Sequence, residues 1–211
     1  MRASGKHKTE KGVAALEFAL VAMPTVLLLL GVVEVGINLG RAVTVDELCR
    51  DADSMYVRGV DFSTTAAQNL LVQIGQNLNL QTGSTSSGLV ILSEVQFVPL
   101  PIGCTTTCTT GAGSYQLMQQ QIIGNTLLPG THFPTAGSIP SCGGTTTTNC
   151  QDSQGNIQGY QTFSNATITN FGSSLTLQNY GISYVAEVYF LSGANLQIWY
   201  GAPGFYAQSF F

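Results

Sequence analysis

Gly12-Val-Ala-Ala-Leu-Glu17-Phe-Ala-Leu-Val-Ala-Met-Pro24-Thr-Val-Leu-Leu-Leu-Leu-Gly31-Val-Val33 carries one charged residue, Glu17, in an otherwise apolar run. As a helix, Val13 to Val33 is roughly 30 Å long at about 1.5 Å per residue, enough to cross a hydrocarbon core. Before it, Arg2, Lys6, Lys8 and Lys11 stand against a single Glu10. Positive charge beside a span holds that side in the cytoplasm. A secretory signal peptide shares the basic start and the apolar run, but no small-residue cleavage site closes this one. Apolar residues continue at near-helical spacing through Val33, Ile37, Val43, Leu48 and Ala52. The expectation is one long helix from about residue 10 to about residue 58, leaving the membrane near Glu34.

Pro24 removes an internal hydrogen bond and should bend this helix, while Gly31, Gly36 and Gly40 are expected to thin one side of it. Small residues in an apolar helix let a second helix approach closely. The plainer reading is that a membrane helix merely tolerates them.

All seven basic residues (Arg2, Lys6, Lys8, Lys11, Arg41, Arg50 and Arg58) lie in the first 58 positions, and the chain beyond them carries only Asp61, Glu94, Asp152 and Glu187 as charges. Nothing there neutralises phosphate, so nucleic acid is excluded as a partner of this region. A surface of Thr, Ser, Gln, Asn and Gly suits a protein outside the cytoplasm. Cysteine usage agrees. Cys104 and Cys108, then Cys142 and Cys150, each enclose a Thr-rich loop, and disulfides Cys104-Cys108 and Cys142-Cys150 are the natural reading in an oxidising compartment. Such short loops contribute only about 2 to 2.6 kcal/mol each, so they staple loops more than the fold. The competing reading is a zinc site, though these spacings differ from the tight Cys-x2-Cys knuckle. Cys49 is left over in a helical segment, as a free thiol or an intermolecular bridge.

Beyond Arg58, Ser63 or Thr64 caps a second helix with Ala67, Leu70, Leu71, Ile74 and Leu78 on one face, ending at Thr82-Gly83-Ser84. Leu89 to Val98 reads as a strand with Leu89, Ile91, Val95 and Phe97 on one face, stopped by Pro99 and Pro101. Tyr115 to Ile123 has helix-favouring Gln and Met but strand-like length, and strand is preferred. Pro129 to Gly159 is a long loop, and Asn165 to Leu177 is mostly extended. Tyr184 to Leu191 alternates Tyr184, Ala186, Val188 and Phe190 with Val185, Glu187 and Tyr189, the clearest strand in the chain. Phe205 to Phe211 closes the chain as an aromatic strand. The fold class is therefore α+β: a leader (1–12), a transmembrane and protruding helix (13–60), and an extracytoplasmic head (61–211) with a mainly antiparallel sheet and at least one further helix.

Gly12-Val-Ala-Ala-Leu-Glu17-Phe18 is similar to the processing site of type IV prepilin-like proteins, in which a glycine ends a short basic leader and a glutamate stands fifth in the mature chain. Counting from Val13, Glu17 is fifth. With Pro24, the leucine run, Gly31-Val-Val-Glu34-Val-Gly36 and Arg41, residues 11–58 resemble TadE-like pseudopilins of tight-adherence (Flp-type) pilus systems. Phe18 stands where cleaved members often have tyrosine. The resemblance implies cleavage between Gly12 and Val13 by a membrane prepilin peptidase, a single-pass protein of the bacterial inner membrane with its N-terminus cytoplasmic, and a role in assembling or priming a pilus. It further implies that Glu17 docks other pilin-like subunits. A charge inside a membrane helix costs on the order of 2.5 to 3.5 kcal/mol, which independently marks Glu17; the bland alternative is a carboxylate solvated at the interface.

An enzyme is not expected. Glu94 and Glu187 fall mid-strand, and facing carboxylates could perform acid and base work, but edge or solvent-face positions are the expected reading. His132 between Gly130-Thr131 and Phe133-Pro134 reads as a surface turn. No metal, cofactor or small-molecule substrate motif is present. The alternative to a pilus component is a permanently anchored envelope protein whose head binds a surface or carbohydrate through its Thr-rich loops.

Overall fold

A computed structural model describes residues 7–99, 113–128, 139–143, 149–161, 163–168, 171, 175–191 and 204–211. The Cys104-Cys108 pair, His132 and the first residues of the leader lie outside them. The chain divides into two compact units, Met1–Arg41 and Ala42–Phe211.

Helix α1 runs unbroken over His7–Val57, as the continuous periodicity predicted. It is long and apolar enough to cross a membrane, with a mean hydropathy of 2.3 over its most apolar window and none of that window buried within the chain. Large apolar side chains from Val13 to Leu39 are exposed, which in water would be a severe liability and in lipid is the required solution. At Pro24 the ring removes the donor for the carbonyl four residues back, and Thr25 Oγ1 donates to the Val21 carbonyl at 2.7 Å.

From residue 42 the same helix changes its environment. Val45, Leu48, Cys49, Ala52, Asp53 and Tyr56 are buried, at the three- and four-residue intervals that put them on one face. These residues pack on a protein core, so they lie outside the span. Helix α2 (Thr65–Ile74) is capped by Thr64, whose side chain accepts the Ala67 N–H, and it ends at Gly75 before a short 3-10 turn, Gln76–Leu78. Ala67 and Leu71 are buried, whereas Leu70 and Ile74 are exposed, so the inward stripe is narrower than expected. The helix also stops well short of Thr82.

Five strands form one antiparallel sheet in the order β3-β2-β1-β4-β5: β1 (Gly88–Val98), β2 (Ser114–Gly124), β3 (Thr167–Ile168), β4 (Ile182–Phe190) and β5 (Phe205–Phe210). Strand rather than helix is correct for 114–124, since pairing with β1 satisfies its backbone. The register passes from Glu94↔Gln119 to Val95↔Leu117, leaving Met118 as a bulge. Of the region expected to be extended after Asn165, the described part forms a 3-10 turn, Ser164–Ala166, and only β3 as strand.

Each face of the sheet has its own core. On the helix face, Val90, Leu92, Ile123, Ala186, Val188 and Phe190 meet α1 and α2. On the opposite, loop face, Val95, Leu117 and Val185 pack under Ile139, Ile157, Ile168 and Phe171. Strand β1 is consequently buried on both sides along most of its length, which the single apolar face read from Leu89 to Phe97 did not anticipate. The described part of the long loop region contributes Ile139 and Ile157 to this second core.

Candidate functional site

Three groups of residues carry chemistry, and the fold separates them. The first is the α1 segment. Gly12 and Glu17 are exposed helix residues, and a Cβ added at Gly12, Gly31, Gly36 or Gly40 would meet nothing within 4 Å. No packing among the described residues therefore requires these glycines. Helix phase refines their grouping. At about 100° per residue, Gly36 and Gly40 share a side while Gly31 lies about 140° from Gly36. Gly31 instead falls seven residues after Pro24, which falls seven after Glu17, a stripe drifting only about 20° per step.

The second group is buried on the two sides of β4, with Cys49 and Asp53 where α1 meets β4 and β5 and Glu187 on the opposite, loop face. The Cys49 thiol donates to the Ala186 carbonyl at 3.3 Å, and burial, followed by Asp53, Asp46 and Glu187, pushes its pKa up to about 12. It is a buried free thiol, so of the two readings open in the sequence the intermolecular bridge requires unfolding. Asp53 is fully buried, and neither carboxylate oxygen has a hydrogen bond of acceptable geometry. Desolvation raises its pKa to about 6, only partly offset by the Ser209 hydroxyl. Glu187, 1% exposed, accepts from the Tyr206 hydroxyl at 2.6 Å. Cys142 and Cys150 are joined as a disulfide with their Cα atoms 5.2 Å apart, which removes that pair from the zinc alternative.

The expected edge or solvent-face placement fails for Glu187: β4 is interior, between β1 and β5, and the side chain is buried on the loop face of the sheet. The acid and base pair is also excluded by parity. Glu94 pairs with Tyr184 and Ile91 with Glu187, so the two carboxylates point to opposite faces of the sheet.

The third group forms a cavity of about 260 Å³ within the C-terminal unit. Its floor is the helix face of the sheet at Glu94, Gln119, Gln121 and Tyr184; its walls are Tyr56 of α1 and the turn Gly59–Phe62. The Tyr56 and Tyr184 rings meet edge to face, 5.4 Å between centroids, and the Tyr56 hydroxyl donates to Gln119 Oε1 at 2.8 Å. Burial raises the pKa of Glu94. The same desolvation, with Glu94 adding to it, raises the two tyrosines. At the exposed rim, Asp61 accepts the Ser63 N–H at 2.9 Å and is held below the usual carboxylate range by its bonds to Ser63. Sequence reasoning missed this cavity. Its lining comes from α1, a turn and three strands, and no local motif connects them.

Residues 12–52 match the family model described as TadE-like protein. This is the family whose features were read from residues 11–58, and the match ends inside α1, before the sheet and its three cavity-lining strands begin. No curated protein and no solved structure gives a match.

Proposed function

We propose that this chain, TadE-like over residues 12–52, is a single-pass membrane component of a Tad-type pilus system that acts in assembling or priming the pilus. The observation that carries the reading is the position of that match on α1, a helix whose apolar residues 13–33 are exposed among the described residues. A membrane or neighbouring helices must cover them.

In this reading the basic leader stays in the cytoplasm, a prepilin peptidase cleaves between Gly12 and Val13, and the head lies across the inner membrane. Glu17 then sits fifth from a new, positively charged amino terminus, and it docks a neighbouring pilin-like subunit through that charge. Gly36 with Gly40, and Pro24 with Gly31, provide two lines of close approach for other helices. The role is one of anchoring and docking, consistent with a pilus-associated family not known for catalysis.

Mass spectrometry of the native N-terminus tests the processing step directly. A mature chain beginning at Val13 is expected, and Gly12→Leu is expected to abolish both cleavage and piliation. An intact leader together with normal pili in the Gly12→Leu strain would overturn the maturation model and favour a permanently anchored envelope protein.

A further inference from the structure

The cavity bounded by Tyr56, Glu94 and Tyr184 is lined by a carboxylate and two tyrosine rings, and several of the donors around it are already engaged. Gln119 Nε2 donates to the Gln154 carbonyl at 2.9 Å, and Gln121 Nε2 donates to the same oxygen. In the wall, the N–H groups of Gly59 and Val60 are taken by the Tyr56 and Met55 carbonyls at 2.9 and 3.1 Å. What faces inward is the Glu94 carboxylate, with Asp61 at the rim and two tyrosines beside it.

Among the described residues no cation answers this charge. No lysine or arginine follows Arg58, Arg58 itself is exposed and does not line the cavity, and Glu94 makes no ion pair among the described residues. A planar or tetrahedral cation needs acceptors and is further favoured by aromatic faces. We propose that this cavity is a binding site for a guanidinium or alkylammonium group, the chemistry of an arginine or lysine side chain or of a small free amine. The inference does not depend on the pilus reading, because no residue lining the cavity falls within the TadE-like segment, residues 12–52.

The test is NMR of the full chain in lipid nanodiscs with labelled tyrosine rings, titrated with ethylguanidinium and with its neutral isostere N-ethylurea. Saturable shifts at Tyr56 and Tyr184 are expected with ethylguanidinium at millimolar affinity and not with N-ethylurea. Glu94→Gln should weaken binding by about tenfold or more, whereas Glu47→Gln, on an exposed turn of α1, should leave it unchanged. If Glu94→Gln fails to fold, lowering the pH on the wild-type chain until Glu94 is protonated should abolish the same shifts. A short neutral peptide bearing one arginine separates the sources: binding as tight as ethylguanidinium assigns a protein side chain, and exclusion of the peptide assigns a small free cation. Equal shifts from N-ethylurea, no saturable shift at all, or a response that survives protonation of Glu94 would overturn the site.

Discussion

Cys49 on α1 and Ala186 on β4, separated by 137 positions in the chain, are joined by a thiol-to-carbonyl hydrogen bond of 3.3 Å in the buried seam between helix and sheet. The helix that begins as an anchor thus ends as a wall of the core. Its thiol is protonated at any ordinary pH because burial and three nearby carboxyl groups disfavour the thiolate. Maleimide labelling of Cys49, located by peptide mass spectrometry, is expected to be negligible in the native chain at pH 7.5 and complete in denaturant. Native labelling at the rate of an exposed thiol would contradict the packing.

Asp53 gives the fold a defined pH dependence. Its folded pKa of about 6 lies above the ordinary 3.8, so the folded state holds the proton more tightly than the unfolded state. The penalty is absent below pH 3.8, grows as pH rises toward 6 and is complete above it, reaching about 3 kcal/mol as an upper figure. Asp53→Asn should therefore raise the thermal midpoint at pH 7.5, and the gain should shrink at pH 5. A gain that is equal at both values would show that Asp53 is not buried as a lone carboxyl group.

Tyr206→Phe removes the hydroxyl that donates to Glu187 Oε1. Withdrawing one partner from a buried acid costs about 1 to 3 kcal/mol. Chemical denaturation should show that loss with little change in slope, and an unchanged midpoint would mean that the pair contributes nothing net.

Gly88 pairs directly with Phe190 across β1 and β4, and a Cβ at Gly88 would overlap the Phe190 ring. Glycine is needed there for space. Gly88→Ala should destabilise by about 1 to 3 kcal/mol through overpacking, and Phe190→Leu in the same chain should recover part of that loss. Additive losses in the double variant would refute the steric account.

Local periodicity made much of this protein legible. The unbroken α1, the strand at 182–190 and the final strand at 205–210 were each visible because a helix or strand repeats its burial every few residues, and that repeat is written in the chain. The Thr64 cap was visible for the same local reason. Less visible were the exposure of Leu70 and Ile74 and the burial of both faces of β1, since those depend on which elements arrive from elsewhere. Glu187 shows the limit most clearly: its place in an alternating strand was evident, but its burial depends on β4 being interior and on what covers the loop face of the sheet.

By itself the sequence determined the anchor: a continuous apolar span, one charge at Glu17, a basic cluster of Arg2, Lys6, Lys8 and Lys11 on its N-terminal side and a TadE-like pattern over residues 12–52. These are properties of a single helix, and a helix closes its hydrogen bonds within its own segment. Only the tertiary structure decided that Glu94 and Glu187 occupy opposite faces, that Asp53 is sealed without an ion pair, and that Tyr56, Glu94 and Tyr184 enclose one cavity. The physical reason is that sheet register and helix docking bring together residues more than a hundred positions apart, and no local spacing encodes that meeting.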